Sequence, residues 1–197
     1  MHAQYIPSPV RRHGAWPDRR HLLALGAAIL GEGLTIPHLA QAATQPMPRD
    51  LRVVTKAVGF LHPSPGSTVQ IVLAYTDAAG SGRIAAEQLA RASEDLVRVG
   101  GMRPQLRAAS LEQLQLGIMP PVVVLTESLP GQAGLLAELV RGRGVLTVTA
   151  DPALVRAGLM VMAVRSEPRV EILVSRVAEQ AAGVTFAPAF RMMIQEQ

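Results

Sequence analysis

The sequence predicts an α/β domain, three-layered and Rossmann-like, with a mainly parallel sheet and an antiparallel edge hairpin. Three observations lead there. Short β-prone apolar runs alternate with segments whose apolar residues recur at helical spacing. The runs are apolar almost throughout, as strands covered on both faces must be, which implies helices above and below. The last two runs, Leu159 to Val164 and Val170 to Val174, are separated by only five residues, too few for a helical crossover but enough for a hairpin.

Taken in chain order, residues 43–50 form a Pro-containing leader with no periodicity, expected to be loose. Leu51 to Leu61 has apolar residues at 51, 54, 57, 58 and 61, the spacing of one helix face, and Pro63 and Pro65 stop it. Thr68 to Tyr75 is the first strand. Ile84 to Val99 places apolar residues at 85, 89, 92, 96 and 99, an amphipathic helix that Gly100-Gly101 ends. Pro104 to Ala108 is a short strand. Ser110-Leu111-Glu112-Gln113 carries an N-cap and a Gln three residues on, so a short capped helix follows. Val122 to Thr126 is a strand, Gly131 to Arg141 a helix, and Val145 to Thr149 another strand. Asp151 can cap a short helix over 152–157. After the hairpin, Ser175 to Ala182 is helical, and a last amphipathic turn lies around Phe190 to Ile194. The 43–66 leader and first helix thus precede an α/β domain over 67–197.

The first 42 residues have a separate character. Arg11, Arg12, Arg19 and Arg20 precede an apolar stretch that opens at Leu22 and is interrupted by Glu32, too short for a bilayer span of about 20 apolar residues. Ala40-Gln41-Ala42 then supplies small residues at the spacing a signal peptidase reads. The expectation is a signal peptide over 1–42, cleaved after Ala42, and a periplasmic mature chain. Arg19-Arg20 ahead of a Gly/Ala-rich run is also the pattern of a twin-arginine signal.

This prefix holds four of the 19 basic and two of the 15 acidic residues, so the remainder carries a net charge of only +2. A nucleic-acid surface needs a basic run with interleaved aromatics, and the remainder has none. His62 is the only histidine outside the prefix and the chain has no cysteine. Thiolate ligands, thiol catalysis, disulfides and a zinc site built from several His or Cys are therefore excluded.

The remaining motifs favour contact over chemistry. Gly80-Ser81-Gly82-Arg83-Ile84-Ala85 fits G-x-G-x-x-A, but four residues separate Tyr75 from Gly80. The second strand ends at Ala108-Ala109-Ser110 with no acid among them, where a ribose partner belongs. An ordinary βα turn is expected. Ser110, Ser128 and Ser166 have only His62 as a conceivable base, in a loop with no G-x-S-x-G elbow. Glu94 and Asp95 are adjacent on a helix and point apart. No catalytic residue, cofactor or metal is assigned. Arg165, Glu167, Arg169 and Glu171 concentrate charge at the hairpin connection. Phe190 and Met193 belong to an apolar segment, Phe186 to Ile194. These six residues are the candidate partner contacts, because Arg, Met and Phe are enriched at interfaces. The same apolar segment could also serve a homodimer.

From Gly144 onward the chain resembles the YfiR/HmsC-like family of periplasmic regulatory proteins. The resemblance rests on Val145-Leu146-Thr147-Val148-Thr149-Ala150-Asp151, on Gly158-Leu159-Met160-Val161, and on Arg169-Val170-Glu171-Ile172-Leu173-Val174 followed by a helix ending Ala181-Ala182-Gly183. The chain departs from the family in its first helix, where Lys56-Ala57-Val58-Gly59-Phe60-Leu61-His62-Pro63 replaces an aromatic-rich stretch, and in lacking cysteines, so redox control through a disulfide cannot operate. The resemblance implies a non-enzymatic periplasmic repressor that binds the periplasmic region of a membrane-bound sensor or diguanylate cyclase. The alternative is a small periplasmic ligand-binding protein that uses the crevice at the C-terminal ends of the strands.

Overall fold

The computed structural model describes residues 45–76, 80–95 and 102–196. The predicted signal peptide and the Gly100-Gly101 helix stop lie outside the described residues. Among the described residues fourteen elements follow one another: α1 (Pro48–Val58), β1 (Thr68–Tyr75), α2 (Ser81–Ser93), β2 (Arg103–Ser110), α3 (Leu111–Leu116), β3 (Val122–Leu125), α4 (Pro130–Val140), β4 (Leu146–Thr149), α5 (Pro152–Arg156), β5 (Met162–Arg165), β6 (Glu171–Val174), α6 (Arg176–Ala182), α7 (Pro188–Arg191) and β7 (Gln195–Glu196).

The strands form one seven-stranded sheet in the order β2-β1-β3-β4-β5-β6-β7. All neighbours are parallel except β5 and β6, which pair antiparallel from Met162 against Val174 to Arg165 against Glu171. The α/β class and the antiparallel pair are as the sequence predicts. Only the two-residue β7, paired to Leu173 and Val174, lies outside that hairpin. The chain leaves β1 in one direction to reach β2, then reverses to build β3, β4 and β5. Right-handed crossovers therefore place α2 on one face and α3, α4 and α5 on the other. α1 packs beside α2 and over β5, while α6 packs on α4, which completes three layers. The reversal makes the gap between the C-terminal ends of β1 and β3 the switch point of the sheet.

Local chemistry explains most boundaries. Ile71 to Tyr75 and Val122 to Leu125 are buried on both faces, so these strands sit where only apolar side chains avoid a desolvation cost. Ser110 and Gln113 form the reciprocal cap that opens α3: Ser110 Oγ accepts from Gln113 N at 3.2 Å, and Gln113 Oε1 accepts from Ser110 N at 2.9 Å. Asp151 Oδ1 accepts from Ala153 N at 2.8 Å at the head of α5. α6 stops at Gly183, whose φ of 74° is left-handed and suits glycine.

Three expectations are corrected. The leader over 43–50 was expected to be loose, yet α1 begins at Pro48. Asp50 Oδ2 accepts from Met47 N at 2.8 Å there, tying off a first-turn donor. Leu51, Val54 and Val58 of α1 are buried in the same core as the strands, so this helix belongs to the α/β domain rather than preceding it. α2 begins at Ser81 instead of Ile84, because Gly80 at φ 67° turns the chain and Gly82 lets the first turn close against the end of β1. A Cβ at Gly82 would lie 2.5 Å from the Thr76 carbonyl oxygen and 2.9 Å from Glu127 Oε1. Gly82→Ala is therefore expected to destabilise the protein by about 1–3 kcal/mol through overpacking, read as a lower urea midpoint at unchanged slope. An unchanged midpoint would show that the α2 start is slack.

Candidate functional site

The hairpin residues come together at the C-terminal end of β5. Arg165 closes β5 and Glu171 opens β6, directly opposite each other in the ladder. Between them Glu167 and Arg169 stand in solvent. Glu167 Oε1 accepts from Arg49 Nη1 of α1 at 2.9 Å, and Glu171 Oε1 accepts from Arg169 Nε at 3.0 Å. The charges therefore do not pair across the two strands. One pair reaches α1 and the other is local. Both pairs are exposed, so each contributes well under 1 kcal/mol to stability.

Arg165 takes no part in either pair. It shares a small groove with Arg156 of α5, Ala163, Glu171, Leu173 and Gln195. The two-residue alternation of strands puts Ala163 and Arg165 on the same side of the sheet as Glu171 and Leu173, and α5 walls that side. Neither the Arg156 nor the Arg165 guanidinium has an ion pair or hydrogen bond among the described residues.

The C-terminal segment divides into core and surface. Phe190 was expected at a partner surface, but it is only 2% exposed. Its ring centroid lies 4.7 Å from that of Phe186 and 5.3 Å from that of Phe60. The reason is the route of the chain: Leu61 bridges Phe186, His62 N donates to the Thr185 carbonyl, and Ala187 N donates to the Phe60 carbonyl. These contacts draw Phe190 under the end of α1. Met193 is 60% exposed and remains on the surface.

An ion network that the sequence did not reveal fixes this segment. Arg191 Nη2 donates to Glu179 Oε1 at 2.6 Å and Arg191 Nη1 to Glu196 Oε1 at 2.6 Å, while Glu196 Oε2 accepts from Arg176 Nε at 2.7 Å. The chain has bases and acids at 176, 179, 191 and 196 in no regular spacing, so only the fold shows that they converge. Hydrogen bonds from Arg191 and then Arg176 hold the Glu196 carboxyl below its ordinary value, and the same bond raises Arg191. A depressed carboxylate contributes stability that is complete above the unfolded pKa and is lost as pH falls through the folded one. The β7 tail is therefore expected to undock below the normal glutamate range. Amide resonances of Gln195 and Glu196 should move with that transition before the rest of the sheet responds. Tail resonances that move only together with global unfolding would contradict it.

At the switch point the chain fills its own crevice. Glu127 Oε2 accepts from Thr76 Oγ1 at 2.9 Å, and Gln132 Nε2 donates to Thr76 Oγ1 at 2.8 Å. Ser128 Oγ lies 3.4 Å from Thr149 Oγ1. The Gly80-Ser81-Gly82 turn faces this cluster, with Glu127 Oε1 beside Gly82. A carboxylate already stands at the head of α2, so a phosphate there would meet like charge as well as the helix amides. Ser110 is used as a helix cap, and His62 is exposed in its loop. Among the described residues no three His, Asp or Glu side chains could jointly hold a metal ion.

Arg156, Gln195 and the Glu179–Arg191–Glu196 network were not legible in advance. Arg156 follows the Asp151 cap as an ordinary last-turn base, and nothing in its spacing announces the Arg165 neighbour. No protein-family model matches the sequence, and no curated protein matches it.

Proposed function

We propose that this chain is a periplasmic regulatory protein that acts by protein contact, not by catalysis, through the hairpin end of its sheet. Its partner on this reading is the periplasmic region of a membrane-bound sensor or diguanylate cyclase. The observation that supports it most is the composition of that end: Arg165, Glu167, Arg169 and Glu171 stand on one short connection, beside the exposed Val170. Charges at such a rim steer association, and an apolar neighbour supplies area to bury. The other natural place for a ligand, the switch-point crevice, is laced by Thr76, Glu127 and Gln132. No helix among the described residues is long and apolar enough to cross a membrane.

A second reading has one observation in its favour. Gln132 Oε1 is buried without a hydrogen-bond partner, and a small ligand with an N–H or O–H could supply the missing donor. The two readings separate in one experiment. Purified protein is chemically cross-linked to solubilised membranes and, in parallel, scanned for thermal shift against small polar metabolites. Cross-linking of an integral membrane sensor through the 165–171 connection is the expected result. A thermal shift that Gln132→Leu abolishes, with no membrane protein cross-linked, would establish the ligand reading instead.

A further inference from the structure

The geometry points to the groove beneath the hairpin as a seat for a glutamate or aspartate side chain of an acidic, extended segment of the partner protein. This rests on the contact reading proposed above and specifies the chemistry of the partner. Three features carry it.

The first is charge. Half of the exposed arginines among the described residues are engaged in ion pairs, including Arg49, Arg141, Arg169 and Arg176. Arg156 and Arg165 have no ionic partner among the described residues, and they come from different elements to line one groove. The single acid there, Glu171, turns its carboxylate to Arg169. The second is size. The groove is shallow and partly open, with a cavity volume of about 40 Å³. Small-molecule pockets run to roughly 300–1,000 Å³. A groove this small suits a single carboxylate side chain better than an enclosed small molecule. The third is the surroundings. Ala163 and Leu173 form an apolar floor that lowers the local dielectric, and a carboxylate between two guanidiniums makes charge-assisted, fork-shaped hydrogen bonds. Exposed Val170 on the adjoining connection offers a non-polar contact for the neighbouring residue of an extended chain.

The test is an NMR titration of the purified protein with an acetylated hexapeptide of alternating glutamate and valine, against a lysine-valine counterpart. Glutamate peptide is expected to shift amides at Ala163, Arg165, Leu173 and Gln195, and the lysine peptide is not. Arg156→Glu or Arg165→Glu should weaken binding about tenfold or more, since like charge at a contact is strongly disfavoured. Arg52→Glu, which removes an exposed and unpaired base from α1, should leave binding unchanged. Equal weakening by Arg52→Glu, or shifts centred on Arg103 and Arg107 of β2, would reduce the effect to general charge and overturn the inference. So would a single-stranded oligonucleotide that displaces the peptide at equal charge. Each reading can fail alone. If the peptide maps to the groove but no membrane sensor is cross-linked, the groove stands and the regulatory reading falls. If a sensor is captured through the hairpin while the peptide ignores the groove, the reverse holds.

Discussion

Phe190→Ala is expected to lower the stability of the domain by about 3–5 kcal/mol, the usual cost of emptying a buried aromatic site. Phe190 fills the space between Phe60, at the end of α1, and Phe186, at the start of the C-terminal segment. Its loss removes both ring contacts, worth about 0.5–1.5 kcal/mol each beyond area, and leaves a cavity. Neither neighbour can easily collapse into that cavity, because backbone hydrogen bonds from His62 and Ala187 fix the two chains. For a domain of this size the loss corresponds to a fall in melting temperature on the order of 10 °C. Phe190→Leu keeps most of the volume and should cost far less. If Phe190→Ala leaves the melting temperature within a degree or two, the aromatic cluster is not part of the cooperative core.

Arg191→Ala is the second large effect. Glu179 is 5% exposed, and its Oε1 accepts from Arg191 Nη2 at 2.6 Å and from Phe186 N at 3.3 Å. Without Arg191 the carboxylate keeps one backbone donor and loses its charged partner, and leaving a buried acceptor short of a donor typically costs about 1–3 kcal/mol. Arg191 also supplies one of the two bases on Glu196, so β7 should detach with it. The double variant Arg191→Ala with Glu179→Gln should recover part of the loss, since no unpaired charge then remains. Equal stability of the single and double variants would show that Glu179 is effectively solvated and that the network is decorative.

How much of this was legible depends on how local the cause is. The central strands and the hairpin were readable because an apolar run covered on both faces and a five-residue connection are properties of neighbouring residues, whereas the half-exposed edge strand β2 is longer than its apolar signal and β7 gave none. The Ser110–Gln113 cap was readable for the same reason, and its geometry agrees. The start of α2 was not, since the demand for a small residue at Gly82 comes from the Thr76 carbonyl and from Glu127, 45 residues further on. Phe190 illustrates the opposite error. An exposed-looking cluster of Phe, Met and Pro suggested a surface, and only the bridge between Leu61 and Phe186 shows why that aromatic is enclosed. The hairpin charges were readable as a group in the sequence, but the Arg49–Glu167 pair was not foreseen, because Arg49 reaches the turn from a helix distant in sequence.

The stability variants bear on the scaffold, whereas the hairpin variants bear on the proposed contact and leave the core untouched. Arg165 and Arg169 are exposed, so the double change Arg165→Glu, Arg169→Glu should alter stability by less than about 1 kcal/mol. The most direct measurement is the affinity and association rate of this variant, once shown to be folded, for the membrane sensor captured by the parent protein. Contact through the hairpin predicts an association rate at least about tenfold slower at low salt, with the difference shrinking as salt rises. An unchanged rate and affinity at every salt concentration would contradict it and place the contact elsewhere on the domain.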